Sequence, residues 1–234
     1  MSELPKTAAV AVPVCIGIIM DGSRRWAHAH DRPVFEGHNE GYKKLQEVVR
    51  WAREAGIPHI VAYAFSTENW QRSEDEVGYL VKLFSFILEN ETKKMIDERV
   101  RVRFIGDRAR FSEDIQKMMA KMEAATKADY DITLHLAMSY GGRAEIIAAT
   151  NVLLAEGTTT VTEAAFADKL WSHPMPDPDL IIRTGGEKRL SGFLPWQSIY
   201  SELFFSDALW PAFTKEEFDS ILAEFTHRER RRGK

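Results

Sequence analysis

The sequence predicts an α/β fold: a single domain with a central, mostly parallel six-stranded sheet flanked by helices. Short runs that are almost wholly apolar alternate with long amphipathic stretches. Such apolar runs are typical of strands that are buried on both faces, as in parallel sheets. No internal repeat, low-complexity tract or linker divides the 234 residues, a length that one α/β domain accommodates. We therefore expect a flexible N-terminal segment, 1–14, followed by one domain over 15–234.

The predicted elements follow in chain order. Six apolar runs predict strands at Cys15–Met20, His59–Phe65, Val100–Ile105, Ile132–Met138, Leu180–Arg183 and Glu202–Phe205. Amphipathic stretches predict helices at His38–Ala55, Glu74–Glu98, Ser112–Lys127, Arg143–Ala155, Thr162–Leu170 and Lys215–Arg230. Ser73, with Glu76 three residues later, has the pattern of a capping box, and Ser112 precedes two acidic residues. These residues mark the starts of two of the helices.

Composition excludes several classes of protein. Hydrophobic residues make up 44% and charged residues 28% of the chain, which is enough for a sizeable core. The net charge of −4 argues against a nucleic-acid binder, which is usually basic. Cys15 is the only cysteine, so an intrachain disulfide is excluded and a reducing compartment is expected. Its apolar surroundings favour a buried structural thiol over a nucleophile.

No segment has the pattern of a membrane span or a secretory signal. The apolar run from Ala8 to Met20 contains Pro13 and is closed by Asp21 and Gly22, where small cleavage-site residues would be expected. No stretch approaches the ~20 apolar residues that cross a bilayer. We expect a soluble, cytoplasmic protein.

The first candidate site follows the first predicted strand. Its residues are Asp21, Gly22, Ser23, Arg24, Arg25 and Trp26. Backbone N–H groups at a helix start and arginine side chains both bind phosphate oxygens. A carboxylate beside a phosphate would repel it unless a divalent cation lay between them, so Asp21 implies Mg²⁺. Taken alone, the segment also fits an ordinary turn with solvated arginines. Neither a Walker A nor a G-x-G-x-x-G pattern is present, which disfavours the nucleotide-binding classes.

Two further segments carry polar residues beyond a strand. In the segment 62–72 these are Ser66, Thr67, Glu68, Asn69, Trp70 and Arg72. Such groups at a strand's carboxyl end favour a binding role, although Trp70 by itself is more typical of packing. In the segment 180–205, Arg183, Arg189 and Ser191 belong to a glycine-rich loop that suits a second diphosphate, and Glu202 is a second candidate metal ligand. Two anion sites with carboxylates indicate chemistry between two diphosphates.

The sequence resembles the cis-prenyltransferase family, in particular the bacterial undecaprenyl diphosphate synthases. The resemblance runs from about Ile16 to Gly233. The motifs that carry it are MDGSRRWA from Met20, Gly37-His38, AFSTENW from Ala64, Gly-Gly-Arg at 141–143, and IRTGGEKRLSGFLPWQ from Ile182 followed by YSELFF. The paired Asp-rich motifs of the all-helical trans-prenyltransferases are absent. The resemblance implies a parallel sheet with an apolar tunnel, and a catalytic domain over 15–234.

The resemblance also implies a role for each candidate residue. Asp21 would be the catalytic carboxylate that handles Mg²⁺ and an allylic diphosphate. The allylic diphosphate would be bound by Gly22, Ser23, Arg24, Arg25, Trp26 and His38. Asn69 would act with it, and Ser66, Thr67, Glu68, Trp70 and Arg72 would close the site. Isopentenyl diphosphate would bind Arg183, Arg189, Leu190 and Ser191, and Glu202 would help to bind the metal. In a homodimer, Arg231 and Gly233 of the basic tail would reach the partner's site, although that tail also fits a solvated helix end.

The sequence departs from the family pattern at four positions. Ser23 replaces an Asn, Val34 an Arg, Lys188 a His and Gly192 an Asn. These changes bear on rate, metal affinity and substrate preference more than on the class of reaction. The expected reaction joins isopentenyl diphosphate to an allylic primer such as farnesyl diphosphate and yields a polyprenyl diphosphate for a lipid carrier.

Two alternative functions predict different features of the chain. A catalytically silent partner subunit of a heteromeric enzyme would be expected to lack the carboxylate at Asp21, which is present. A nucleic-acid binder that uses the basic tail would show salt-dependent binding. The long apolar product would leave slowly and favour a membrane surface, since burial of each five-carbon unit contributes ~4 kcal/mol of favourable free energy. Peripheral membrane contact at product release is therefore expected.

Overall fold

Six strands form one sheet in the computed structural model, which describes residues 12–228. The sheet order is β3-β4-β2-β1-β5-β6, and all five pairings are parallel. The strands are β1 Cys15–Ile19, β2 His59–Ser66, β3 Val100–Ile105, β4 Ile132–Tyr140, β5 Leu180–Arg183 and β6 Glu202–Phe205. The predicted fold class is confirmed, and every predicted strand is present within two residues of its expected bounds.

Helices connect the strands and cover both faces of the sheet. They are α1 Ser23–Ala29, α2 Val34–Glu54, α3 Glu74–Asn90, α4 Thr92–Asp97, α5 Glu113–Ala125, α6 Gly142–Ala155, α7 Glu163–Ala167 and α8 Lys215–His227. The predicted helix starts hold where a side chain caps the helix: Ser73, Ser112, Thr162 and Thr214 each accept a hydrogen bond from a first-turn backbone N–H. Residues 229–230 of the last predicted helix lie outside the described residues.

Three helical predictions differ from the structure. The helix predicted over 74–98 divides at Glu91 into α3 and α4, where the Thr92 hydroxyl donates to the Leu88 carbonyl, a bond that bends helices. Helix α2 begins four residues before the predicted His38, directly after Pro33, whose fixed φ suits a helix start. Helix α1 was not among the predicted helices, because its seven residues are too few to show a periodic pattern.

The core has two parts, one on each face of the sheet. Alternation along β1 separates them: Ile16 and Ile18 belong to the larger cluster, whereas Cys15 and Ile19 belong to the smaller one. Cys15 is buried, as predicted, and burial raises the pKa of its thiol. A nucleophilic role is therefore disfavoured. Among residues 12–228, no helix is both long enough and apolar enough to cross a membrane.

His135 of β4 is expected to lower the free energy of unfolding at acid pH. Burial, together with His59, Arg103 and Arg101, lowers the pKa of His135 from 6.5 to about 3. Between these two values the unfolded chain takes up a proton that the folded protein does not, so the free energy of unfolding falls as the pH falls below 6.5. The contribution is at most about 1.4 kcal/mol per pH unit. Urea unfolding between pH 7 and pH 5 should therefore show a smaller loss of stability in His135→Gln.

The matched control is His227→Gln, because His227 is exposed near the end of α8. His38 and His59, whose pKa values burial also lowers, contribute in the same direction and remain in both variants. An identical pH dependence in His135→Gln and the unaltered protein would contradict the prediction.

Candidate active site

The segments that follow β1 and β5 meet at the carboxyl edge of the sheet. Strands β1 and β5 are direct neighbours, with Ile19 level with Arg183. The connections that leave β1 and β5 run to opposite sides, since β2 lies on one side of β1 and β6 lies beyond β5. In open α/β sheets, ligands bind at such a switch point. Asp21 and Arg183, which are 162 positions apart in the sequence, are thereby brought into contact.

The Asp21 carboxylate lies between Arg25 of α1 and Arg183 of β5. Its Oδ2 accepts a hydrogen bond from Nη2 of Arg183 at 2.7 Å, and its Oδ1 accepts one from Nη2 of Arg25 at 3.1 Å. Its carbonyl oxygen accepts from the Thr184 hydroxyl at 2.8 Å and from the Trp210 N–H at 3.0 Å. The side chain is 28% exposed. Asp21 is therefore fixed through its backbone, with a carboxylate that a ligand can reach.

Two glycines permit this close arrangement. Gly22, the N-cap of α1, has φ 112°, and a Cβ there would lie 3.0 Å from the Leu209 backbone. Gly185 has φ 86°, and a Cβ there would lie 2.5 Å from Nη2 of Arg25. No side chain caps α1, so its first-turn N–H groups can face an anion.

Arg183 organises the glycine-rich loop after β5. It is buried, and its Nη1 donates to the Arg189 carbonyl at 2.6 Å and to the Ser191 hydroxyl at 2.8 Å. Its Nε is buried and has no hydrogen-bond partner in the described residues. The Arg189 side chain is exposed and paired with Glu187. One arginine therefore holds both the loop and Asp21, while the other has an exposed side chain that is paired within the loop.

Glu76 contacts three of the predicted site residues and was not itself predicted to belong to the site. Its N–H donates to Ser73, as the capping pattern predicts, but its carboxylate is directed to other partners. It accepts from Arg72 at 2.7 Å and lies 3.4 Å from Nε2 of His38 and 3.7 Å from Nη1 of Arg24. The capping interpretation concealed this role. A single carboxylate thus positions three predicted site residues.

The protonation state of His38 follows from its surroundings. Burial is the largest effect and lowers the pKa of His38, whereas the neighbouring Glu76 carboxylate opposes that shift. Arg72 and Arg24 lower the pKa further. His38 is accordingly neutral near pH 7 and can donate or accept a hydrogen bond.

The segment after β2 forms a short 3₁₀ turn, Thr67–Gln71. The Asn69 side chain stabilises the turn by accepting from the Ser66 N–H at 3.0 Å. Trp70 turns away from the site: its Nε1 donates to Ser139, and its ring packs on Phe65 and Phe111. The packing interpretation of Trp70 therefore describes the structure better than ligand contact does.

A cavity of about 870 Å³ opens at Asp21 and continues along one face of the sheet. On β4 its wall is formed by Leu134, Leu136 and Met138, which alternate along the strand and so share a face. Helices supply further apolar walls at Leu45, Val49, Leu80, Leu83, Phe84, Ile87, Met95 and Met122. Ala64 and Val100 also line it, whereas Ile132 of β4 is fully buried in the core and does not.

Twelve of the predicted site residues line this cavity. They are Asp21, Gly22, Ser23, Arg24, Arg25, His38, Ser66, Glu68, Asn69, Arg72, Arg183 and Ser191. Trp26, Thr67, Trp70, Arg189 and Leu190 do not line it, and Arg231 and Gly233 lie outside the described residues. Tyr63 also lines it and was missed. Its hydroxyl donates to the Tyr140 carbonyl at 3.2 Å, and burial raises its pKa.

Glu202 is not brought close to Asp21 within one chain. It pairs with Leu180 at the start of β5, three residues before Arg183, a separation of about 10 Å along the strand. Its carboxylate accepts from Arg228 at 2.8 Å. The metal role of Glu202 stays a prediction.

The family model described as "Putative undecaprenyl diphosphate synthase" matches residues 19–233. The chain belongs to this prenyltransferase family. An isoprenyl transferase of Neisseria meningitidis is 42% identical over 224 residues, covering 96% of this chain and 90% of the relative. An isoprenyl transferase of Thermotoga maritima is also 42% identical, over 95% of this chain and 97% of the relative.

A solved structure supports the same assignment. Lavandulyl diphosphate synthase from Lavandula x intermedia, crystallised with dimethylallyl diphosphate, has a TM-score of 0.89 and 30% identity. The match covers 95% of this chain and 99% of that protein. The resemblance to the cis-prenyltransferases is therefore confirmed, and the protein is an enzyme that transfers prenyl groups.

Proposed function

We propose that this prenyltransferase joins isopentenyl diphosphate to an allylic diphosphate, with farnesyl diphosphate as the primer, to give a polyprenyl diphosphate for a lipid carrier. One observation carries the proposal: Asp21 is shared by Arg25 of α1 and Arg183 of β5, at a cavity that also has extensive apolar walls. Arginines suit the diphosphates, and apolar walls suit a hydrocarbon chain. The dimethylallyl diphosphate held by the lavender enzyme is an allylic diphosphate, which supports the choice of substrate class.

The two diphosphates would occupy the two sides of Asp21. The allylic diphosphate would bind at Arg25 and the start of α1, with its hydrocarbon tail in the cavity. Isopentenyl diphosphate would bind the loop that Arg183 holds, with Arg189 and Ser191. This arrangement would place the terminal alkene beside the allylic C1, and orienting two reactants in this way lowers a barrier substantially.

The reaction replaces the allylic C1–O bond with a C–C bond and moves a double bond. The allylic C1–O bond breaks, and its electron pair leaves with the diphosphate. The alkene of isopentenyl diphosphate supplies the electrons of the new C–C bond, and a C2 proton then passes to a phosphate oxygen or to water, which leaves the cis double bond. Negative charge grows on the departing diphosphate, and the guanidinium group of Arg25 and the amides of α1 would stabilise it.

Asp21 fits a magnesium ion that arrives with a diphosphate. Mg²⁺ commonly takes one or two carboxylates together with phosphate oxygens. Residues 12–228 contain no cluster of three or more His, Cys, Asp or Glu side chains placed to hold a metal, so a single carboxylate plus substrate is the fitting arrangement. Asp21 would hold the ion, which when bound would offset the charge of the leaving diphosphate.

Exposed apolar side chains support a homodimer. Ile147 and Leu154 lie seven residues apart on α6 and so share a face. Ile199 and Tyr200, just before β6, and Phe205, at its end, add exposed apolar surface. Such surface is typical of a protein interface. Sedimentation equilibrium would measure the dimer, and a monomer at micromolar concentration would contradict it. A cytoplasmic location, with membrane contact at product release, completes the proposal.

The direct test supplies the purified chain with farnesyl diphosphate, labelled isopentenyl diphosphate and Mg²⁺, and sizes the dephosphorylated products. We expect a series of longer prenyl alcohols that EDTA abolishes. An inactive chain that becomes active only with a homologous subunit would favour the silent-partner alternative. Activity with other primers but not with farnesyl diphosphate would overturn the choice of primer.

Ser23 offers a test that is particular to this chain. Its hydroxyl is a single donor where the family has an amide, and it packs against Gly41 of α2. We expect Ser23→Asn to raise kcat or lower the Mg²⁺ requirement by up to ~10-fold, if one hydrogen bond of ~1.4 kcal/mol is gained. Steady-state kinetics at limiting and saturating Mg²⁺ would measure this, with Ser23→Ala as the control. A slower Ser23→Asn enzyme with unchanged metal dependence would contradict the expectation.

A further inference from the structure

A second, smaller pocket lies on the opposite face of the sheet from the large cavity. It is lined by His59, Arg101, Arg103, Thr133, His135 and His173, together with a loop at 172–175. Thr133 and His135 alternate with the cavity residues Leu134 and Leu136 along β4, so they point to the other face. The two sites share no lining residue. We name this site the β2–β4 pocket.

The β2–β4 pocket contains polar groups that lack partners. Thr133 is only 2% exposed, and its hydroxyl has no hydrogen-bond partner among the described residues. The buried Nε of Arg101 also has none. Leaving such groups unpaired away from water costs free energy, so native structures rarely do so without a bound molecule. The Thr133 hydroxyl and Nε of Arg101 are therefore two donors in one small pocket that a bound acceptor could satisfy.

The charges around the β2–β4 pocket favour an anion. No carboxylate lines the pocket, whereas two arginines do. Two acids contact lining residues from outside the pocket: Glu123 lies 3.8 Å from Nε of Arg103, and Asp168 lies 3.5 Å from Nδ1 of His173. The guanidinium group of Arg101 donates a hydrogen bond to the Tyr130 hydroxyl at 3.0 Å. A metal cation would be repelled by the two arginines, while an oxyanion would be attracted.

The two inner histidines supply a further donor. Nδ1 of His59 and Nε2 of His135 are 3.2 Å apart, so one ring donates to the other. His135 is neutral near pH 7 because burial lowers its pKa to about 3, and a ring N–H that is not used in this pair can donate to a ligand. The volume of the pocket, about 70 Å³, exceeds what one water molecule needs.

We propose that the β2–β4 pocket binds a small tetrahedral oxyanion of the phosphate class, held by Arg101, Thr133 and the His59–His135 pair. The ligand would connect three adjacent strands, since His59, Thr133 and Arg101 are level with one another across the sheet. Free phosphate and the diphosphate released by prenyl transfer share this chemistry. The small volume favours phosphate.

Histidine ring NMR measures binding at this pocket directly. Inorganic phosphate and inorganic diphosphate would each be titrated into the full chain at pH 7. We expect phosphate to shift the His59 and His135 ring signals saturably. The same shift should persist in Arg189→Ala, in which anion binding at the active site is weakened. A stronger response to diphosphate would assign the site to the reaction's by-product and still support an oxyanion.

Two variants make the test specific. Thr133→Val removes the hydroxyl with little change of shape, and Arg101→Gln removes the charge without altering the core. We expect phosphate to bind each at least ~10-fold more weakly, as the loss of one hydrogen bond of ~1.4 kcal/mol implies. Thr150→Val, on the exposed surface of α6, is the control and should bind as the unaltered protein does.

Three results would overturn the proposal. One is the absence of a shift in the His59 and His135 ring signals with either anion, which would mean that the pocket holds only water. Another is a linear shift that never saturates. The third is unchanged phosphate affinity in Arg101→Gln, which would refute the assignment even if Thr133→Val failed to fold.

Discussion

Asp21→Asn should reduce kcat by about 10²–10³-fold while leaving the fold intact. The carboxylate receives hydrogen bonds from Arg25 and Arg183 at the junction of the two sites, and its place at the cavity mouth suits the proposed metal. Asparagine keeps the size and one acceptor oxygen but removes the charge. Steady-state kinetics would measure the loss of turnover, and circular dichroism and urea unfolding would measure the fold.

The control for this prediction is Asp114→Asn. Asp114 is an exposed carboxylate in the first turn of α5, far along the chain from the site, with a surface partner in Lys117. Its loss should leave turnover unchanged and alter stability by less than about 1 kcal/mol. An Asp21→Asn enzyme that retained more than about a tenth of the original kcat would contradict the proposed mechanism.

Arg183→Lys should lower kcat/KM by about 10²-fold or more for both substrates. Lysine keeps the charge but cannot reproduce a planar fork that donates to Asp21, Ser191 and the Arg189 carbonyl together. Losing even one charge-assisted hydrogen bond costs roughly 1.5–3 kcal/mol. Because Arg183 contacts both Asp21 and the loop, we expect the kinetics of the allylic substrate to suffer as well as those of isopentenyl diphosphate.

Arg189→Lys is the matched comparison. Arg189 comes from the same loop, but its side chain is exposed and its ion-pair partner is Glu187. We expect a smaller loss, mainly as a higher KM for isopentenyl diphosphate with little change for the allylic substrate. Varying each substrate at saturation of the other separates the two effects. Equal losses in Arg183→Lys and Arg189→Lys would mean that the buried fork has no special role.

Much of the site could be predicted because it lies in continuous motifs. The run around Asp21 and the loop around Arg183 each follow a buried strand, and parallel strands place their carboxyl ends at one edge. That rule brings Asp21 and Arg183 into one region without any knowledge of their side-chain directions. The direction of each side chain was less predictable. Trp70 belongs to a motif of the site, yet its ring packs into the core.

The residues that were missed depend on contacts between distant segments. Glu76 has the pattern of a helix cap, and only the packing of α3 beside α1 and α2 turns its carboxylate toward Arg24 and His38. The β2–β4 pocket arises in the same way. His59 and His135 are 76 positions apart in the sequence, and strand register alone makes them neighbours.

The α/β class, the six strands and the two candidate anion-binding segments were predictable from the sequence, because apolar runs and strand-end loops are local patterns. Tertiary packing sets the strand order, the division of the core into two faces and the contacts of each polar side chain. The placement of Glu202 level with Leu180, away from Asp21, is one example. Its physical reason is register: a shift of one residue along a strand reverses the face on which every side chain lies, and register is set by packing across the whole sheet.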